Sequence, residues 1–265
     1  MSAPRIMALL FVVGTLIHFK ATAEAATQTG FLNRTVTVGK QVFRYQVYVP
    51  AEWSKGKKWP VLLFLHGAGE RGEDGLLQTQ VGIATAIRTH ADRFNAVVVM
   101  PQCRKDKWWT EPMMEEQALA ALKASIKEFK GDQERIYLTG LSMGGFGTWG
   151  IAASHPGMFA ALAPICGGLR PHARAQSPGA PNPDVDPSLY TQAAGKIGKT
   201  PVWIFHGGAD PVVPVAESQR MYEALKVNGG NVKYTEYPGV GHNSWDRAYG
   251  ETEFMTWLLA QRLSR

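Results

Sequence analysis

Cysteine is scarce in this chain: Cys103 and Cys166 are the two among 265 residues. That number excludes a disulfide-scaffolded miniature and a cysteine-based zinc site. Charge is modest as well, with 19% charged residues and a net charge of +6, and the basic residues are scattered without a run interleaved by aromatics. A nucleic-acid partner is therefore not expected. Long apolar runs are missing too. The apolar stretch at residues 6–17 follows Arg5 and is too short to span a bilayer. Small residues follow it, offering Ala21-Thr22-Ala23 or Ala23-Glu24-Ala25 as a cleavage site, so residues 1–26 read as a signal peptide. The mature chain, residues 27–265, is expected to be secreted or periplasmic, with no stable membrane insertion after cleavage.

What is present is enough apolar material for a sizeable core, 45% hydrophobic and 10% aromatic, which suits one α/β domain. Phe43, Tyr45, Val47 and Val49 alternate with polar residues, and with residues 35–38 they predict an antiparallel hairpin turning at Gly39. Beyond Pro50 the pattern changes to solid apolar runs at 61–65, 96–100, 136–138, 159–165, 202–205 and 232–237. Amphipathic segments separate them, such as 115–129, where Leu119, Leu122, Ile126 and Phe129 fall three or four apart. Strands buried on both faces and alternating with helices predict a mostly parallel sheet covered on both sides. Ligands bind such sheets beyond the carboxyl ends of the strands.

The loops at those ends collect the unusual residues: HGAGERG from His66, PQC and WW between Pro101 and Trp109, GLSMGG from Gly140, CGG from Cys166, HGGADPVVP from His206 and GVGHNSWD from Gly239. Gly140, Ser142 and Gly144 form G-x-S-x-G between a short strand and a helical pattern, the setting of a nucleophile elbow. A serine hydroxyl needs a base and a group that orients the base. In such sheets the chain order is Ser, Asp or Glu, then His. His242, after the last strand, is the candidate base. His206 ends a strand, where a His-Gly pair would shape a turn, and His172 stands in a proline-rich segment. Asp210 lies on the rim between Ser142 and His242 in sequence and is the candidate acid, whereas Asp246 is expected to cap the following helix. The oxyanion donors are expected to be the N–H of Met143 and that of Ala68, with Gly69 as the alternative. Glu70 and Arg71 are balanced between holding that loop and touching substrate.

HGAGERG, GLSMGG, HGGADPVVP and GHNSWD, in that order, resemble the α/β-hydrolase fold from about Thr35 onward. Within it the chain is similar to small secreted carboxylesterases related to feruloyl and acetylxylan esterases and to polyhydroxybutyrate depolymerase-like esterases. The resemblance implies an α/β-hydrolase sheet with an antiparallel N-terminal hairpin and helices on both faces. It implies a serine carboxylesterase with Ser142, Asp210 and His242 as triad, no cofactor and no metal. Short-chain or phenolic esters, free or polysaccharide-linked, are the implied substrates. It also supplies a strand order in which two strands separate those ending at Cys103 and Cys166, about 14 Å at strand spacing. Both cysteines are then expected to be free.

The proline-rich segment 171–192 leaves the catalytic rim and reads as a partial lid or a solvated loop, with substrate contact preferred. Trp109 and Trp245 are candidate substrate-binding residues, and Trp108 shares their ambiguity between pocket wall and core. Prolyl oligopeptidase-type peptidases share similar motifs but generally carry a propeller domain, for which this length leaves no room. Dienelactone hydrolases use cysteine where this chain has Ser142. A non-catalytic binding protein on a hydrolase scaffold would usually lack a triad member, and none is missing here.

Overall fold

The alternating segment at the start becomes a hairpin in the computed structural model, which describes residues 28–169 and 186–263. The expected signal peptide and most of the 171–192 segment lie outside the described residues. β1 (Gly30–Val38) and β2 (Gln41–Val49) pair antiparallel in a register that joins Val38 to Gln41 around Gly39. Gly39 has φ +56°, a backbone conformation that costs glycine little because it has no Cβ.

The solid apolar runs are the central strands: β3 (Trp59–Leu65), β4 (Val97–Pro101), β5 (Gly131–Leu141), β6 (Ala161–Ile165) and β7 (Val202–Gly207). With β8 (Val232–Tyr237) they complete an eight-stranded sheet in the order β1-β2-β4-β3-β5-β6-β7-β8. β2 joins β4 antiparallel, and every pair from β4 to β8 is parallel. This is an α/β-hydrolase sheet with an antiparallel hairpin at one edge. β3 and β5 stand between β4 and β6, and Cys103 and Cys166 are both free and buried.

Side chains alternate across each strand, so an apolar run serves two cores at once. Val61, Leu63 and Leu65 face one core with α2 (Pro112–Glu128), α3 (Met143–Ser154), α4 (Ser188–Ile197) and α5 (Ala216–Val227). Leu62 and Phe64 face the other, with α1 (Ile83–Thr89), α6 (Trp245–Gly250) and α7 (Phe254–Leu259). In α2, Leu122 and Phe129 at its C-cap are buried as the helical period predicts, Leu119 and Ile126 are partly buried against the same core, and Met114, Ala118 and Ala121 join them. The run at 232–237 is different. β8 is an edge strand with Lys233 and Glu236 exposed, so it is not buried on both faces.

Candidate active site

At the carboxyl end of β5 the chain reverses into α3 within one residue. Ser142 takes φ +51° and ψ −117°, a strained conformation for a side chain with a Cβ. The turn closes only because its neighbours lack side chains: a Cβ on Gly140 would meet the Gly144 carbonyl, and one on Gly144 would meet the Leu65 carbonyl oxygen. Ser142 N–H donates to the Ile165 carbonyl at 2.9 Å, which ties the elbow to β6. The hydroxyl is thereby held on the rim, partly exposed.

His242, in the loop after β8, places Nε2 2.9 Å from Ser142 Oγ. Its Nδ1 lies 2.7 Å from Asp210 Oδ2. A carboxylate in this position accepts the Nδ1 proton, so Nε2 keeps its lone pair toward the serine hydroxyl. Asp210 itself is fixed in the turn after β7 by Val212 N–H at 2.8 Å and Val213 N–H at 3.0 Å, both donating to Oδ1. Burial alone would raise its pKa. Hydrogen bonds from His206, His242, Val213 and Val212 outweigh that penalty and hold the carboxyl well below the usual carboxylate range. The sequence-predicted Ser142, His242 and Asp210 are thus brought together from three strand ends.

His206 is more than a turn former. It is fully buried, with Nε2 3.0 Å from the Val213 carbonyl and 3.2 Å from Asp210 Oδ2. A carbonyl and a carboxylate can only accept, so Nε2 carries the proton and Nδ1 accepts from Ser218 Oγ at 2.7 Å. Asp210 therefore lies between two imidazoles, each linked to a serine. The sequence signal is the four-residue spacing of His206, near the end of β7, and Asp210, which close on each other across the turn after that strand.

Met143 N–H heads α3 and Ala68 N–H heads a short 3-10 turn, Ala68–Glu70, and leading N–H groups have no intrahelical acceptor. Gly69, the alternative donor, lies within the same turn. Glu70 and Arg71 hold this loop in shape. The Glu70 carboxylate accepts from the backbone N–H groups of Gly67 and Glu70, and burial pushes its pKa up against those bonds. Arg71 Nε donates to the Ala68 carbonyl at 2.9 Å. Beneath them, His66 Nε2 accepts Cys103 N–H at 2.9 Å while Nδ1 donates to the Gly67 carbonyl at 2.6 Å.

Trp109 requires a correction. It is fully buried, donates from Nε1 to the His66 carbonyl at 2.9 Å and packs edge-on to the His66 ring, so it supports the loop from below and presents no face to a substrate. Trp245 is half-buried and edge-on to His242, with ring centroids 5.4 Å apart, beside the candidate base. Trp108 packs on Phe146 of α3. Asp246 is also placed differently: it sits inside the first turn of α6, where its carboxylate accepts from Asn243 Nδ2 at 2.8 Å, and Ser244 occupies the cap position.

A profile of the prolyl oligopeptidase family matches residues 107–261, more than half of the chain. The chain belongs to the prolyl oligopeptidase family. Among the solved structures similar to this family member, a thermostable esterase is 31% identical, with a TM-score of 0.74 over 88% of this chain and 63% of that one. A ferulic acid esterase at 17% identity and a TM-score of 0.67, covering 88% of this chain and 98% of that one, shares the fold. Poly(3-hydroxyalkanoate) depolymerase C of Paucimonas lemoignei is 32% identical over 119 residues, 41% of this chain and 27% of that protein. The chain thus spans less than two thirds of that thermostable esterase and of that depolymerase. No helix among the described residues is long and apolar enough to cross a membrane.

Proposed function

We propose that this protein is a serine carboxylesterase that works through an acyl-enzyme. The carrying observation is the unbroken hydrogen-bonded line from Ser142 Oγ through His242 to Asp210 at the carboxyl ends of the strands. His242 Nε2 takes the hydroxyl proton as Ser142 attacks the ester carbonyl, and Asp210 stabilises the imidazolium that forms. The N–H groups of Met143 and Ala68 receive the oxyanion, whose stabilisation is worth about 3–4 kcal/mol per donor in related chemistry. The imidazolium then protonates the departing alcohol, and water repeats the sequence to release the acid. Short-chain or phenolic esters are the substrates of this reading, with Trp245 as one wall, and the likeness to an esterase at 31% identity supports ester over amide. Work outside the cytoplasm, on free or polysaccharide-linked esters, belongs to the same proposal.

The family match favours a second possibility, amide hydrolysis at a peptide bond, by the same residues. One panel separates the two: p-nitrophenyl acetate to decanoate, methyl ferulate and a dipeptide amide, each with wild type and Ser142→Ala. Ester turnover that falls by roughly 10⁶ in kcat for Ser142→Ala or His242→Ala is expected. Faster cleavage of the amide than of the esters selects the peptidase, and retention of most activity in either variant removes both.

A further inference from the structure

Behind the candidate triad lies a group that hydrolysis does not use. Cys166, at the end of β6, is fully buried, and its backbone has φ +40°. Its sulfur, one Asp210 carboxylate oxygen and one His242 nitrogen all lie within 4.8 Å of one another. The nitrogen that faces Asp210 is Nδ1. Ser244 completes the surroundings: its hydroxyl is fully buried beside the Cys166 sulfur and has no other hydrogen-bond partner among the described residues.

We propose that this cluster is an inhibitory zinc site. Two cysteines are too few for a structural zinc site, but one thiolate, one imidazole and one carboxylate form a mixed soft and borderline donor set that suits zinc over calcium or magnesium. Zinc bonds of about 2.0–2.3 Å in a tetrahedron put donor atoms roughly 3.3–3.7 Å apart. Asp210 and His242 must open by under an ångström from 2.7 Å, and the sulfur, within 4.8 Å of both, must close by at most about 1.3 Å. Ser244 is beside the sulfur to fill or support the fourth position. The metal enters past His242, whose side chain is 20% exposed while the Asp210 side chain is sealed.

Inhibition follows from the proton count. The Cys166 thiol loses its proton to solvent and binds as thiolate. Zinc replaces the proton on His242 Nδ1, and the neutral ring then keeps its one proton on Nε2, for a net release of one proton per zinc. Nε2 now donates toward Ser142 Oγ and has no lone pair to accept the hydroxyl proton. The nucleophile stays inert until the metal leaves.

Zinc chloride titrated against p-nitrophenyl acetate hydrolysis in a non-chelating buffer tests this with the full chain, each variant being scaled to its own metal-free rate. Wild type is expected to lose activity, to recover it with EDTA, and to require at least roughly 100-fold less zinc than Cys166→Ala, because even an outer-shell partner is worth about 10- to 100-fold and Cys166 would ligate directly. Cys166→Ser serves if alanine impairs folding. Cobalt(II) is the second measurement: wild type should bind one ion per chain with a thiolate-to-cobalt charge-transfer band that Cys166→Ala lacks. Equal zinc sensitivity in wild type and variant, or cobalt binding without that band, overturns the site. Because the inhibition half rests on the esterase assignment, absence of ester turnover in metal-free wild type sinks that assignment, and the cobalt band still decides the metal site.

Discussion

Among single residues, His206 carries the strongest untested consequence. Asp210 accepts two backbone N–H groups and two imidazoles, and His206 supplies one of the bonds that keep it ionised despite burial. His206→Leu removes that donor and leaves Ser218 without its acceptor. A hydrogen bond to a charged group is worth about 1.5–3 kcal/mol. If most of that is felt when the His242 imidazolium forms, kcat falls roughly 10- to 100-fold with KM little changed. A purely structural role would lower the amount of folded enzyme and leave kcat per active site unchanged. Steady-state kinetics on an ester, corrected by active-site titration, distinguishes the two.

For the elements, the junction of β5 and α3 depends on the absence of side chains. Gly144→Ala sets a Cβ against the Leu65 carbonyl oxygen, an atom fixed in a central strand, so the elbow or β3 must shift. Overpacking of that kind costs about 1–3 kcal/mol, and kcat should fall with it because Ser142 is displaced. Gly195 is the contrast. It is exposed inside α4 with nothing within 4 Å of an added Cβ, so Gly195→Ala should stabilise by about 0.4–1 kcal/mol. Urea unfolding of both variants checks the pair, and equal signs would refute the steric account. These junctions also explain what was legible beforehand. β3, β4 and β7 were readable because strands buried on both faces are unbroken apolar runs, and G-x-S-x-G could be placed because it sits between such a run and a helical period. Trp109 misleads a reading of the sequence because a tryptophan among rim residues reads alike whether it faces substrate or, as here, the underside of the loop that begins at His66. β8 was read as buried because Val232, Tyr234 and Tyr237 are apolar, yet an edge strand covers only part of such residues. His206 was passed over because its partner Ser218 lies on α5, and no local pattern shows that contact.

Over the whole molecule, stability toward acid is set by polar groups sealed between the sheet and its rim loops. His66 is fully buried with both ring nitrogens engaged, and burial, opposed by the Gly67 hydrogen bond and assisted by Arg71, pushes its pKa from 6.5 down to about 4. Between those values the unfolded chain holds a proton that the native protein does not, so stability rises with pH across that window. Acidification from 6.5 toward 4 removes about 1.4 kcal/mol per pH unit, and this contribution stops changing below the folded value. Asp210 then continues the trend. Its folded pKa is depressed, so it stabilises the native state above the unfolded value of about 3.9 and loses that contribution as pH falls further. The acid limb of the stability curve should therefore begin near pH 6.5 with a histidine, well before carboxylates titrate. Between pH 7 and pH 5 His66 alone should cost about 2 kcal/mol, or roughly 4–8 °C in Tm for a chain of this size. In His66→Gln the starting stability is lower, because the Gly67 and Cys103 bonds are disturbed, but the slope between pH 7 and pH 5 should flatten by that amount. Urea titrations of both proteins at the two pH values provide the measurement, and parallel slopes would assign the acid sensitivity to other groups.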